Sequence, residues 1–248
     1  MMDYRIDVDS HCYEIEKCNQ RGGRMLTVVD LIKRGTLTIT QASFLMEEIS
    51  KGSSFIVGAK PGGAGKTTVM CALLNFLPPG IKIIPAENME ILEKGKNREK
   101  SCFLCHEIGK GPYYAYLWGE ELLKFFELKK YGHIIVSNLH ADTLNEAKIQ
   151  ITKQNPVPEE LFNSVELYIF LKVEREGWEY NRKIDRIWKR EKGRYLEFVD
   201  ENFRPERKYI DFIKYTVSED IFIMRDFRKA FVEFFLQNLK GEEDALKS

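Results

Sequence analysis

What this sequence has least of is surplus charge: Lys plus Arg and Asp plus Glu stand equal at 38 each over 248 residues. A balanced chain has no broad basic surface for nucleic acid or anionic lipid, so no nucleic-acid partner is expected. It also lacks any apolar run near the ~18 residues of a membrane-spanning helix. Met1–Ser10 is acidic and polar where a signal peptide would be apolar, and a soluble, cytoplasmic protein is therefore expected. Cysteine is scarce and odd in number (Cys12, Cys18, Cys71, Cys102, Cys105), which excludes a disulfide framework and reads as reduced thiols. No internal repeat or low-complexity linker divides the chain, and its length suits roughly one domain with a small appendage.

What is present is an alternation of short apolar runs and amphipathic stretches. Thr40–Lys51 has Ala42, Phe44, Leu45 and Ile49 at helical spacing, with Gly52 where a C-terminal cap belongs. Phe55–Val57 reads as a strand, and the stretch from Lys66 to Leu77 as a helix stopped by Pro78–Pro79–Gly80. Ile81–Ile84, Cys102–Cys105, Tyr113–Trp118 and His133–Asn138 read as further strands, with a helix over Glu121–Lys130. Thr143 and Glu146 have capping-box spacing ahead of another helix that ends at Pro156 and Pro158. Val165–Val173, Lys183–Lys189 and Arg194–Val199 read as antiparallel strands with turns at Glu176–Gly177 and Lys192–Gly193. Ser218–Lys240 reads as one C-terminal aromatic helix, and residues 1–25 show no usable period. The order predicts an α/β fold with a mostly parallel sheet over residues 26–173, a polar segment over 1–25, and a β-hairpin and helical extension over 174–248.

Between the Phe55–Val57 strand and the helix that follows lies Pro61–Gly62–Gly63–Ala64–Gly65–Lys66–Thr67–Thr68. This is a phosphate-binding loop. Glycines let backbone amides approach phosphate oxygens, the lysine reaches the β and γ phosphates, and the threonine hydroxyl is placed for Mg²⁺. The helix N-terminus adds partial positive charge. The pattern's first glycine is replaced by Lys60, with Gly58 two residues earlier, which questions the tightness of the first turn only. Gly62, Gly63, Ala64, Gly65, Lys66, Thr67 and Thr68 are therefore the expected nucleotide contacts.

Four segments in the right order resemble the type II/type IV secretion and type IV pilus or archaellum motor ATPases. They are Leu26–Thr38 as the approach to the core, the phosphate loop, Ile83–Glu90 as an acidic box, and Tyr131–Ala141 as a histidine box followed by Glu146–Ala147. The resemblance implies a RecA-like P-loop core that binds ATP and Mg²⁺ and hydrolyses ATP in a homo-oligomeric ring, a hexamer in the family, beside a membrane-associated secretion or pilus platform. It assigns Glu87 as base or water organiser and His140 as γ-phosphate sensor, with His133 as the lesser histidine. The metal-side acid has two candidates. Glu120 is favoured by the Gly-Glu pair after Tyr113–Trp118, with Thr67 as its partner on the metal, and Glu107 ends the apolar Cys102–Cys105 run. Arg21 and Arg24 are candidate phosphate contacts.

The sequence departs from the family in having only about 25 residues before the core, where the family has a large N-terminal domain. It also has a single arginine, Arg98, between the two boxes, where the family has several. Both departures admit a rival expectation: a weakly hydrolysing or non-hydrolysing paralogue with a regulatory or assembly role. Cys102–Cys105–His106 matches a haem-attachment string, but its plainer reading is a buried strand using cysteine as a small apolar residue. The remaining Cys and His spacings, His11–Cys12 and Cys12–Cys18, do not match a structural zinc site.

Overall fold

The computed structural model describes residues 4–18, 22–176, 179–199 and 202–245. Along the chain run α1 (Tyr4–Glu16), α2 (Val28–Lys33), α3 (Ile39–Ser50), β1 (Phe55–Gly58), α4 (Lys66–Leu74), β2 (Ile83–Pro85) and α5 (Met89–Gly95). Next come β3 (Cys102–Ile108), β4 (Tyr116–Leu117), α6 (Glu120–Glu127), β5 (Ile134–Leu139), α7 (Leu144–Thr152) and α8 (Glu159–Phe162). The chain closes with β6 (Leu167–Glu176), β7 (Glu179–Glu191), β8 (Arg194–Glu197), α9 (Arg207–Ser218) and α10 (Met224–Ala245).

One eight-stranded sheet has the order β2-β3-β5-β1-β6-β7-β8, with β4 on the edge of β3. β1 pairs in parallel with both β5 and β6, and β3 pairs in parallel with β2, β4 and β5; only β6–β7 and β7–β8 are antiparallel. Both faces of the parallel strands are covered, which is why β1, β3 and β5 are buried throughout. Side chains alternate between two cores. Phe55, Val57, Leu104 and Val136 pack with α1 to α4, α9 and α10, whereas Ile56, Phe103, Ile135 and Tyr168 pack with α5 to α8. This is the expected α/β architecture with a mostly parallel sheet.

The alternation also disposes of the cysteine string. Cys102 and Cys105 are three apart on β3 and enter opposite cores, so their thiols do not share a ligand site. Among the described residues no group of three or more His, Cys, Asp or Glu is placed to hold a metal.

Several elements differ from the sequence reading. The first 25 residues contain α1, whose Cys12 and Ile15 are fully buried against the rest of the chain. Its charged residues hide the period that those two positions carry. The strand expected over Tyr113–Trp118 shrinks to Tyr116–Leu117, because Ala115 takes φ +52° and breaks the run. The C-terminal helix expected from Ser218 begins at Met224: Asp220 takes φ +52°, and a separate helix, α9, precedes it with Tyr209, Phe212, Ile213 and Thr216 buried. The boundary expected at residue 173 falls inside β6, and the sheet continues across it into β7. Gly177, of the expected Glu176–Gly177 turn, lies outside the described residues. No helix among the described residues is long and apolar enough to cross a membrane.

α1 and α10 close over the end of α4 through two buried bases. The Arg228 guanidinium on α10 donates through Nη1 to the Asn75 and Leu77 carbonyls (2.9 and 2.5 Å), satisfying oxygens at the end of α4. His11 on α1 lies beside it, and burial first, then the Arg228 charge, hold its pKa well below 6.5, with the Leu74 backbone offsetting part. The folded protein thus keeps His11 neutral, while the unfolded chain protonates it near pH 6.5. Stability from this pair is fully present above that value and falls as pH drops below it, by at most about 1.4 kcal/mol per pH unit. Urea unfolding at pH 7.5 and 5.5 should show a larger acid loss for wild type than for His11→Leu; equal losses would remove His11 from the account.

Candidate functional site

β1 runs into the glycine-rich loop at Gly58. A Cβ there would lie 2.6 Å from both the Ala141 carbonyl and the Phe170 ring, so only glycine lets β1 pass between β5 and β6 at this level. At the other end of the loop Gly65 caps α4 with φ +94°, a conformation other residues adopt only with strain. Lys60 replaces the pattern's first glycine without cost to the turn. Its φ is not in the left-handed region, its amide donates to Asp142 Oδ1 at 2.7 Å, and its ammonium pairs with Glu146 at 2.6 Å. That pair redirects the expected capping box: Thr143 Oγ1 accepts from the Glu146 amide, but the Glu146 carboxylate accepts from the Asp142 amide.

Beneath the loop, five side chains from α4, β3 and the end of β5 converge. Lys66, the first residue of α4, points its ammonium at the Ala59 carbonyl (3.0 Å), His140 Nδ1 (3.4 Å) and Glu107 Oε2 (3.8 Å). Glu107 lies near the end of β3, 5% exposed, and its other oxygen is 3.7 Å from His140 Nε2 with no protein hydrogen-bond donor. Asn138, fully buried near the end of β5, donates through Nδ2 to the His106 carbonyl (2.9 Å) and lies 3.4 Å from Thr67 Oγ1. These positions follow from topology, since the C-terminal ends of adjacent parallel strands open on the side where the β1–α4 loop turns.

Burial works against the charge of both partners here. It pushes the Glu107 carboxyl above the usual range, with Lys66 and then His140 pulling it back, and it lowers the Lys66 ammonium, with Glu107 and then Asp142 opposing. A buried acid and base held near each other, each partly uncompensated, is an arrangement found at functional sites. The cavity above them, about 520 Å³, is also lined by Thr67, Thr68, His106 and Tyr116, and on its outer wall by Arg24. Thr67 and Glu107 bring a hydroxyl and a carboxylate to the cavity wall, and Glu107 Oε1 receives no protein hydrogen bond. That donor set suits Mg²⁺, which takes few protein oxygens and keeps water.

Other expected site residues are placed elsewhere. The expectation for Glu120 does not fit the geometry. It is exposed at the start of α6 and lines neither cavity at the loop; Glu107 stands beside Lys66 because β3, not β4, neighbours β5. Glu87 follows β2, which β3 and β5 separate from β1; it is exposed and accepts a bond from Tyr114 Oη at 3.0 Å. His133 is buried at the opposite end of β5. The Ser101 amide donates to its Nδ1 (3.1 Å), which places the proton on Nε2, facing the Gly95 carbonyl at 2.9 Å. Arg24 forms a two-pronged pair with Asp30 and also donates to the Phe222 carbonyl. Arg21 lies outside the described residues.

Asn138 is the residue that reading the sequence missed. Its signal is the one that marks Glu107: a polar side chain near the end of an otherwise apolar strand.

No protein-family model matches the chain, and no curated protein matches it. Among solved structures, the VirB11 ATPase from the Brucella suis type IV secretion system, in complex with sulphate, is 18% identical with a TM-score of 0.43 over 66% of this chain. The Legionella pneumophila ATPase DotB is 13% identical with a TM-score of 0.41 over 73% of this chain. This chain spans less than two thirds of either, 62% and 58% of their lengths.

Gly58→Ala tests the close approach that seats the loop. Overpacking of this kind costs on the order of 1–3 kcal/mol, so the variant should unfold at clearly lower urea concentration than wild type. An unchanged midpoint would show that β1 has room the geometry denies.

Proposed function

We propose that this chain binds Mg-ATP in the cleft between the Gly62–Thr68 loop and the ends of β3 and β5, and hydrolyses it as a secretion- or pilus-type motor ATPase. The observation that carries the reading is the convergence of Lys66, Glu107, Thr67 and His140 on one side of a glycine-rich loop that opens a helix. Backbone amides from Gly62 to Thr68 would cradle the phosphates, and Lys66 would exchange its Ala59 contact for the β and γ oxygens. Thr67 and Glu107 would hold Mg²⁺, which neutralises phosphate charge when bound. His140, half-exposed just beyond β5, would meet the terminal phosphate. Assembly as a homo-oligomeric ring, with six subunits as the family resemblance implies, and work beside a membrane platform on its cytoplasmic side belong to this proposal.

A second reading has an observation of its own. Among the described residues Glu107 is the one carboxylate lining the cavity, and Glu87 is held outward by Tyr114. An acid occupied by metal leaves no second one to accept a proton from attacking water, so slow turnover with firm binding, as in a regulatory or assembly subunit, also fits.

Turnover of purified protein separates the two. Under the first reading Glu107→Gln abolishes Mg²⁺-dependent hydrolysis, by ~10²-fold or more, and Glu120→Gln leaves it intact. Loss in Glu120→Gln alone would reverse the assignment, and wild-type turnover at background with tight ATP binding would establish the second reading.

His140 gives an independent check. His140→Ala should lower ATP affinity or turnover while leaving ADP affinity nearly unchanged, and His133→Ala should not alter that ratio. Titration calorimetry of both nucleotides at fixed Mg²⁺ and salt measures it. An unaltered ATP-to-ADP ratio in His140→Ala would deny the histidine a role at the terminal phosphate.

A further inference from the structure

Of the five free cysteines, Cys18 stands apart. It lies two residues beyond α1 and lines the cavity that holds Lys66. The other four line neither that cavity nor the smaller one beside it, of about 410 Å³. Cys71, on α4, is 1% exposed and lies in the same core as Cys18. Cys12 and Cys102 are fully buried in that core, and Cys105 enters the opposite one.

The Cys18 and Cys71 thiols are hydrogen-bonded to each other. Cys18 Sγ also donates to the Glu14 carbonyl of α1 at 3.7 Å, which makes the Cys71 thiol the donor of the pair. From the β3 side, His106 Nε2 lies 3.4 Å from the Cys18 carbonyl and helps to hold the residue in place. The hydrogen bond splits the two thiols in character. It favours the Cys18 thiolate and lowers its pKa below the ordinary value, against burial, while the same bond and then burial raise that of Cys71. The thiolate is the nucleophilic form of cysteine, so the residue on the cavity wall is the reactive member and the one behind it the reserve.

We propose that Cys18 and Cys71 are an oxidation site, a thiol pair that peroxide entering the cavity closes into a disulfide between the segment after α1 and α4. The Cys18 thiolate attacks one peroxide oxygen and the O–O bond breaks. The other oxygen leaves as hydroxide, takes up the proton that Cys18 released, and Cys18 becomes a sulfenic acid. The Cys71 sulfur then attacks the Cys18 sulfur, the S–O bond breaks, and the departing hydroxyl takes the Cys71 proton. Two thiols have given up two electrons and two protons, and peroxide has been reduced to two waters. The bond encloses α2, α3, β1 and the glycine-rich loop, and it fixes one wall of the Lys66 cavity to the helix that carries Lys66. A cross-link over so long a segment restricts the unfolded chain and so stabilises the folded one. This inference does not depend on which ligand the cavity takes.

The test treats the reduced whole chain with a small excess of hydrogen peroxide, then counts thiols after denaturation and maps peptides without reductant. Wild type should lose two of its five thiols, and the map should join Cys18 to Cys71. Cys71→Ser should stop at a sulfenic acid on Cys18, trapped by dimedone, and Cys18→Ser should keep all its thiols. The oxidised wild type should unfold at a higher urea midpoint than the reduced protein, and dithiothreitol should reverse the shift. A wild-type count that stays at five, or a link that joins any other pair of cysteines, would overturn the proposal. So would a lower midpoint on oxidation, because a bond that strains the fold is not one the fold has prepared. Should either variant fail to fold, the wild-type count and map decide the matter alone.

Discussion

The contact on which the rest of the arrangement depends is the approach of Lys66 to Glu107 under the glycine-rich loop. Neither group has its ordinary surroundings: burial disfavours both charges, and their separation of 3.8 Å is too long for a normal hydrogen bond. A buried ion pair of this sort contributes little net stability, because desolvation offsets the attraction. Its presence is better explained by what it is ready to bind. An anion on Lys66 and a cation on Glu107 would each replace a weak internal contact with a strong one.

Everything that positions the pair serves that geometry. β5 separates β1 from β3, so the loop after β1 and the acid near the end of β3 are spaced by one strand, and Asn138 on that strand links the His106 carbonyl to Thr67. Gly58 lets β1 sit close to both neighbours. On the far side of the sheet's centre, β7 returns antiparallel to β6 and brings Arg182 back to the Gly63 carbonyl, so the extension after the core helps build the loop's surroundings. α1 contributes from the other end of the chain, with its buried Cys12 and Ile15 in the core that holds α4 and Cys18 just beyond it on the cavity wall.

Much of this was legible in the residues. The glycine-rich loop, the parallel strands around it and the helix after Thr143 follow from spacing and turn chemistry, whereas His140 was singled out by the family resemblance, and the fold brings it to Lys66. Glu120 was favoured over Glu107, the acid that stands beside Lys66, for a physical reason. Two apolar runs each end near an acid, and sequence periodicity cannot tell which run lies next to β5; pairing does, and it selects β3 over the two-residue β4. α1 escaped notice because its burial rests on few positions, and α9 because one long aromatic stretch hides the break at Asp220. The contact of Arg182 with the loop spans 119 residues of sequence and leaves no local trace.

The most direct measurement of the central claim is hydrogen–deuterium exchange of the whole chain with and without Mg-ATP. If the loop cradles phosphate above Lys66 and Glu107, amides from Gly62 to Thr68 should slow most, with a smaller effect around Glu107 and Asn138–His140. Mg-ATP that leaves those amides exchanging as before, or protects only segments remote from them, would contradict it.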